Sequence, residues 1–362
     1  MKSSFFFNFK DVVSDVTSGF KKINKSEYSE QGETPIIDQS KKQICGYTNL
    51  KPKVNLLKPP YIIFGDHTRC FKYSTKDFIL GADGTKVLKA KVDADHRFLF
   101  HYFKSLKIEA AGYSRHFRFL KRSKIYLPPL IEQKRIATIF DKIDDVLNLR
   151  QQAIVKLDAL TQNIFLSMFG STKNNPKNFP VKKLKEIIKF EGGSQPPKSN
   201  FSDQQSKENI RLVQIRDFRT DKFKTYIPKN LAKRFFKKDD VMIGRYGPPV
   251  FQIFRGLSGS YNVALMKATP CDLVTKDFLY YLLREHDLHS YVVANSERTA
   301  GQSGVNLDLL ENYLAYLPPI KEQEKFSHAI SAYQSLKEKN IKSNKIIKNT
   351  LLSFQSQSFG LN

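Results

Sequence analysis

The chain has 362 residues and a formal net charge of +25, from 60 Lys and Arg against 35 Asp and Glu. Hydrophobic residues make up 40% and aromatics 12%, including 29 Phe, which is enough apolar side chain for real cores and excludes wholesale disorder. No stretch approaches the ~18 apolar residues of a membrane helix, Phe5-Phe6-Phe7 is too short for a secretion signal, and Cys45, Cys70 and Cys271 are too few and too scattered for a disulfide framework or a CxxC metal site. A cytoplasmic protein of about two domains is expected, with a polyanionic partner: nucleic acid first, an acidic membrane surface second.

In chain order, residues 1–125 read as a mixed α/β block. Tyr61–Phe64 and Phe78–Leu80 are short apolar runs between turn residues, which predicts strands, and Arg97–Leu106 predicts a helix. Residues 126–170 read as one long helix. Pro128 and Pro129 suit its first turn, where an N–H is spare, Glu132 suits the positive end of the helix dipole, and Gly170 suits its end. Between them a heptad runs through Ile136, Ile143, Leu157 and Ile164 at a, Ile139, Val146, Ala153 and Leu160 at d, and Phe140, Leu147, Ile154 and Met168 at e. Residues 171–315 form a second mixed block, with strands expected at Val241–Ile243 and Val250–Phe254 and a helix over Lys276–Val293. Residues 316–362 return to the heptad with Phe326, Tyr333, Ile347 and Phe354 at a, and Ala329 and Leu336 at d.

The two helices are copies. Tyr126-Leu-Pro-Pro-Leu-Ile-Glu-Gln133 recurs as Tyr316-Leu-Pro-Pro-Ile-Lys-Glu-Gln323, and Phe169-Gly170 recurs as Phe359-Gly360, both at an offset of 190. The blocks before them are less alike. Phe9–Val13 can still be laid on Leu184–Ile188, and Ala111, Gly112 and Ser114 on Ala300, Gly301 and Ser303. Each helix would reach ~60 Å, and a stripe that long demands a partner helix. The polar a positions Arg150 and Asn340 are expected near the midpoint of an antiparallel pair, where a polar residue pins register; the plainer reading puts each at a wet edge.

Charge follows the same division. Residues 1–125 carry +12, 126–170 carry 0, 171–315 carry +9 and 316–362 carry +4. Within the blocks, basic residues interleave with Gly and aromatics in loops. Arg69 and Lys72, Lys86, and Arg115, His116 and Arg118 are candidates in the first block; Arg216, Arg219 and Lys222, Arg245, Arg255 and Gln302 are candidates in the second. Arg reads guanine with two bonds, Gln reads adenine, and Lys or His holds phosphate. Any one of these is also what a solvated surface charge looks like; it is the set that describes a DNA-facing surface.

Enzyme motifs fail in turn. Gly192-Gly-Ser-Gln-Pro-Pro-Lys-Ser199 places Pro197 where a phosphate loop needs Gly. Every Pro-Pro follows Lys, Leu, Gln or Gly, so the Asn/Asp-Pro-Pro-aromatic signature of amino methyltransferases is missing, as are HExxH and GxSxG. His286 and His289 read as packing or surface residues, and Asp144-Asp145 and Asp239-Asp240 as solvated faces. No cofactor is expected on this chain.

A globular block, a Leu-Pro-Pro-Leu-x-Glu-Gln helix, a second block and a Leu-Pro-Pro-x-x-Glu-Gln helix together resemble the specificity (S) subunits of type I restriction–modification enzymes, over essentially the whole chain. Pro128 to Gly170 looks like the central spacer of that family. Phe64-Gly-Asp-His-Thr-Arg69 and Gly112-Tyr-Ser-Arg-His116 look like motifs of one subset of its recognition domains, and Asn178-Phe-Pro-Val181 with Leu184 looks like the entry to the second. The start almost directly in the first recognition domain and the lack of Trp depart from many relatives. The resemblance implies an α+β protein: target recognition domains at 1–125 and 171–315, joined by antiparallel coiled-coil helices at 126–170 and 316–362, with a pseudo-two-fold repeat. It implies double-stranded DNA as ligand, each domain reading half of a bipartite site, and the helices setting the gap. Two modification (methyltransferase) subunits, which bind S-adenosylmethionine, and the restriction (motor-nuclease) subunits would be partners. The rival readings are a non-specific coiled-coil architectural DNA-binding protein, a single-chain nuclease or methyltransferase, and an RNA-binding protein.

Overall fold

The computed structural model describes residues 5–52, 58–81, 83–109, 112, 115–299 and 302–360. The chain divides into two units, Met1–Gln151 with Ile341–Asn362, and Gln152–Asn340.

In the first unit the strand Phe6–Asn8 pairs with Lys124–Tyr126, bringing the ends of the block together. The turn of helix Phe9–Val12 then leads into Val13–Asp15, the edge of a four-stranded antiparallel sheet continued by Thr85–Ala90, Tyr61–Gly65 and Phe71–Ser74. Tyr61–Phe64 is apolar without alternation because the strand is buried on both faces. The helix His96–Ser105 lies over this sheet, its first turn capped by Asp95, whose carboxylate accepts from the Phe98 N–H at 2.8 Å. A smaller sheet joins Gly46–Thr48, Thr34–Ile37 and Ile79–Leu80.

The second unit repeats the plan. Val181–Lys183 pairs with Leu314–Tyr316, the helical turn Leu184–Ile187 follows, and Ile188–Gly192 edges a sheet continued by Leu265–Pro270, Val241–Gly244 and Gln252–Phe254. The alignment of Phe9–Val13 on Leu184–Ile188 therefore joins equivalent elements, and Phe9, Val12, Leu184 and Ile187 are all buried. The expected helix at 276–293 is two, Lys276–Leu282 and His286–Ala294. It breaks because buried Glu285 turns its carboxylate onto the N–H groups of Asp287 and Leu288, capping the second helix.

The long helices span Leu130–Phe169 and Ile320–Phe359, 40 residues each. In each unit they pack antiparallel. Phe140 meets Phe354 and Phe359 in the first, while Asp158 meets Lys337 and Phe165 meets Phe326 in the second. The heptad spacing holds, but the seam falls on a and e rather than a and d. Val146, Leu160 and Leu336, read as d, face outward, and Ile136, Phe140, Phe326 and Ile330 are buried. The Arg150 guanidinium donates to the Ser343 hydroxyl across the pair. Asn340 donates to its own helix, at the Leu336 carbonyl, 3.0 Å. Gly170 ends the first helix at φ +83°, a left-handed conformation in which a Cβ would run into Pro176.

The repeated Gln has a specific task. Buried Gln133 accepts the Asp95 N–H (2.9 Å) and donates to the Pro128 carbonyl (2.7 Å). Buried Gln323 accepts the Thr275 N–H (2.8 Å) and donates to the carbonyls of Pro318 and Leu273, 2.9 Å each. Asp95 and Thr275 are the N-caps of the helices His96–Ser105 and Lys276–Leu282. One amide thus joins the start of a long helix to the start of its head's own helix.

Charges lock the same junctions further along. Asp141 accepts from Arg97 and His101, and Lys104 pairs with Asp144 at 2.8 Å. Burial pushes the His101 imidazole below its usual pKa, favouring the neutral ring that donates through Nε2. In the second unit Arg284 grips Asp158 at 2.6 and 3.2 Å and Lys337 reaches it at 2.7 Å.

Gln323→Ala leaves the half-buried Thr275 N–H and the buried Pro318 carbonyl without this partner and should cost roughly 1–3 kcal/mol, read as a lower denaturation midpoint; an unchanged midpoint would discount the latch. Asp158 supplies a pH test. Burial alone would raise its pKa, but hydrogen bonds and charge from Arg284 and Lys337 reverse this and lower it from 3.8 to about 2. Its stabilisation, roughly 2 kcal/mol, is fully present above the unfolded pKa and is lost as pH falls through the folded one. The stability gap between wild type and Asp158→Asn, measured by urea titration, should therefore be widest above pH ~4 and narrow as pH drops toward ~2.

Candidate nucleic-acid interface

In the first unit three loops singled out from the sequence converge on Asp66, the residue after the strand Tyr61–Gly65. Its N–H donates to the Gly84 carbonyl at 2.7 Å. Its own carbonyl accepts from the His116 N–H at 3.1 Å and lies 2.8 Å from His116 Nδ1. Its carboxylate accepts the Phe117 N–H at 2.6 Å. Loops 65–72, 84–86 and 115–118 are thereby tied into one edge.

The candidate side chains divide on that edge. Arg69, Arg115 and Arg118 are exposed. Arg69 sits at φ +60° and donates to the Ile108 carbonyl at 3.0 Å, and Arg118 lies over the Phe119 ring. Lys86 is half-buried, paired with Asp15 at 3.1 Å and lying over Phe117. Lys72 and His116 belong to the interior. Lys72 is 4% exposed and its ammonium donates to the Asp38 carbonyl at 2.7 Å. His116 is 2% exposed and is fastened to Asp66. Both brace the loops, because their polar atoms already have partners inside the fold. Ala111, Tyr113 and Ser114 lie outside the described residues.

The second unit has the same hub with a different side chain. Arg245 follows the strand Val241–Gly244 as Asp66 follows Tyr61–Gly65. Its N–H donates to the Ala264 carbonyl and its carbonyl accepts the Val305 N–H, both at 2.9 Å. Tyr246 bridges Gly304. The turn Ile215–Phe218 is drawn in through Arg219, which donates to the Gln252 carboxamide. Arg216 and Lys222 are exposed and flank the ring of Phe223, itself exposed. Arg255 departs from this group. It pairs with Asp277 at 2.6 Å and stacks over Tyr280, and Asp277 also accepts from Gln334 of the second long helix, so Arg255 secures the head to that helix. Ala300 and Gly301, and the side chain of Gln302, lie outside the described residues.

Sequence reading missed Asp66, Gln133 and Gln323 as working residues. The repeat contained the signal for the two glutamines. Asp66 lies within Phe64–Arg69, but its partners are 18 and 50 residues away, beyond the reach of local pattern.

Two mixed α/β heads, each with exposed arginines on a loop edge, are thus joined to paired long helices. The family profile described as the type I restriction modification DNA specificity domain matches residues 5–159 and 176–348, and the chain belongs to that family. It is a type I restriction–modification specificity subunit, a DNA sequence-recognition component of a kind that is generally non-catalytic and works in a complex with other restriction–modification subunits. The S subunit of the type I system from M. genitalium shares its fold at 14% identity and a TM-score of 0.57, over 96% of this chain and 95% of that one. A structure described as showing complex assembly and conformational transition of the type I R-M system aligns at 17% identity and a TM-score of 0.47, over 98% and 97%. The HsdS subunit from Thermoanaerobacter tengcongensis aligns at 17% and 0.39, over 98% and 96%. Among the described residues no helix is long and apolar enough to cross a membrane.

Asp66→Ala should leave the Phe117 N–H buried without an acceptor and cost roughly 1–3 kcal/mol. Asp66→Asn, which keeps an acceptor, should cost less. Amide hydrogen exchange at Phe117 checks this directly: protection equal in both variants would remove Asp66 from its place as hub.

Proposed function

We propose that each head reads one half of a bipartite, asymmetric double-stranded DNA site, and that the helix pair sets the gap between the halves. The observation that carries this is the shared hub with unlike contents. The backbone frame is the same in both heads, while Asp66 and its loops differ from Arg245 and its loops. Heads of one frame and different surface suit two different half-sites. Of the candidates, Arg69, Lys86, Arg115, Arg118, Arg216, Arg219, Lys222 and Arg245, with Gln302, form the reading edges. Lys72, His116 and Arg255 support them from within, and Arg150 with Asn340 marks the middle of the ruler. Domain limits at 1–125, 126–170, 171–315 and 316–362 follow from this division of labour.

Two basic modules on a stiff spacer bind bivalently, so spacing itself becomes specific. The outward apolar residues Leu149, Val155, Leu336 and Leu352 suit docking of two modification subunits, which carry S-adenosylmethionine and the methylation chemistry; restriction subunits supply cleavage, all in the cytoplasm. Removing seven residues from the middle of each long helix keeps the seam and shortens it by ~10 Å, which should shorten the gap by roughly three base pairs and leave both half-sequences intact. The chain is co-expressed with its modification subunit and methylated adenines are mapped by single-molecule sequencing. An unchanged gap would sink the ruler; methylation without a bipartite motif would sink the division into halves.

A further inference from the structure

Arg245 stands apart from the other arginines of its unit whose side chains are described. Arg211 pairs with Asp217 and Asp221, Arg216 donates to Thr225, Arg219 to Gln252, Arg234 to Glu191, Arg255 to Asp277 and Arg284 to Asp158. The Arg245 guanidinium has no hydrogen bond or ion pair among the described residues, although the residue is half-buried. Its position is nonetheless fixed. The backbone is held on both sides by Ala264 and Val305, and the ring of Tyr246 lies 5.2 Å from the guanidinium carbon. Tyr246 is seated in turn on Gly304, where a Cβ would come within 3.1 Å of its ring. A Cβ on Gly192 would stand 3.4 Å from Arg245 Nη1, so the guanidinium also lies along a backbone with no side chain. Beyond it Gly247 turns at φ +95° with nothing within 4 Å of where a Cβ would be.

A guanidinium offers five donors in one plane. Held in place, recessed, and given no acceptor among the described residues, it is prepared for a ligand with two acceptors in a plane. Guanine presents O6 and N7 in that way in the major groove. A phosphate contact needs only an exposed charge, which Arg216 and Lys222 already provide on the rim. The matching position of the first head is closed to such a role, because Asp66 is engaged with the Phe117 N–H. Resting on the reading of the second head as a DNA reader, we propose that Arg245 reads a guanine in the half-site of that head.

The test uses the full chain and a pool of duplex DNA of randomised sequence, selected by binding and sequenced. The wild-type chain should enrich a bipartite motif with guanine at a fixed position of one half. Arg245→Ala should lower the preference at that position about ten- to hundred-fold and leave the other half unchanged. Arg245→Lys keeps the charge beside Tyr246 but loses the planar fork, so it should lose most of the same preference, and it serves where the Ala variant melts early. A motif retained in full, with affinity falling equally for all sequences, identifies a phosphate contact and overturns the assignment. Enrichment of no motif by the wild-type chain overturns the DNA-reading function itself, and Arg245 with it.

Discussion

Each head's core is closed by residues from both long helices, and the rest of the molecule depends on that closure. Phe359, at the end of the second helix, packs on Phe98, Tyr102 and Phe140. Phe169, at the end of the first, packs on Phe278 and Phe326. The Tyr316 hydroxyl donates to the Gly170 carbonyl at 2.8 Å, so the start of one helix receives the end of the other. An apolar stripe of 40 residues has no stable life alone in water, and the heads supply its buried ends.

From this closure follows a separation of tasks. The buried end of each head holds Gln133 or Gln323 and the ion pairs of Asp141 or Asp158. The loop edge holds the hub and the cations. The candidate cations of the loop edge and the residues of the helix junction are thus largely separate sets. Arg255 links the two regions, since it leaves the strand Gln252–Phe254 and ends at Asp277 beside the second long helix.

The sequence showed the architecture through its repeat, because helix entries and exits are local. Pro128, Pro129 and Gly170 act within a few residues of themselves. The match of Phe9–Val13 to Leu184–Ile188 was legible for the same reason: both encode a helical turn running into a buried edge strand. What escaped was set by distant partners. Lys72 reads as a surface charge until the Asp38 carbonyl is placed beside it. His116 reads as a phosphate contact until Asp66 is. Composition favoured a and d for the seam because Val146 and Leu160 are apolar, yet the direction of a helix face is fixed by what it meets, and here the heads choose a and e.

The first unit is assembled from the two extremes of the chain, and the second from its middle. A ribosome delivers them in an awkward order. All segments of the second unit have emerged once residue 340 is out, whereas the first, begun earliest, still lacks residues 341–362. Until then Phe98, Tyr102 and Phe140 await the aromatic ring of Phe359. Domains usually mature in the order of synthesis. In this chain the head begun first is completed last, because its core includes Phe359.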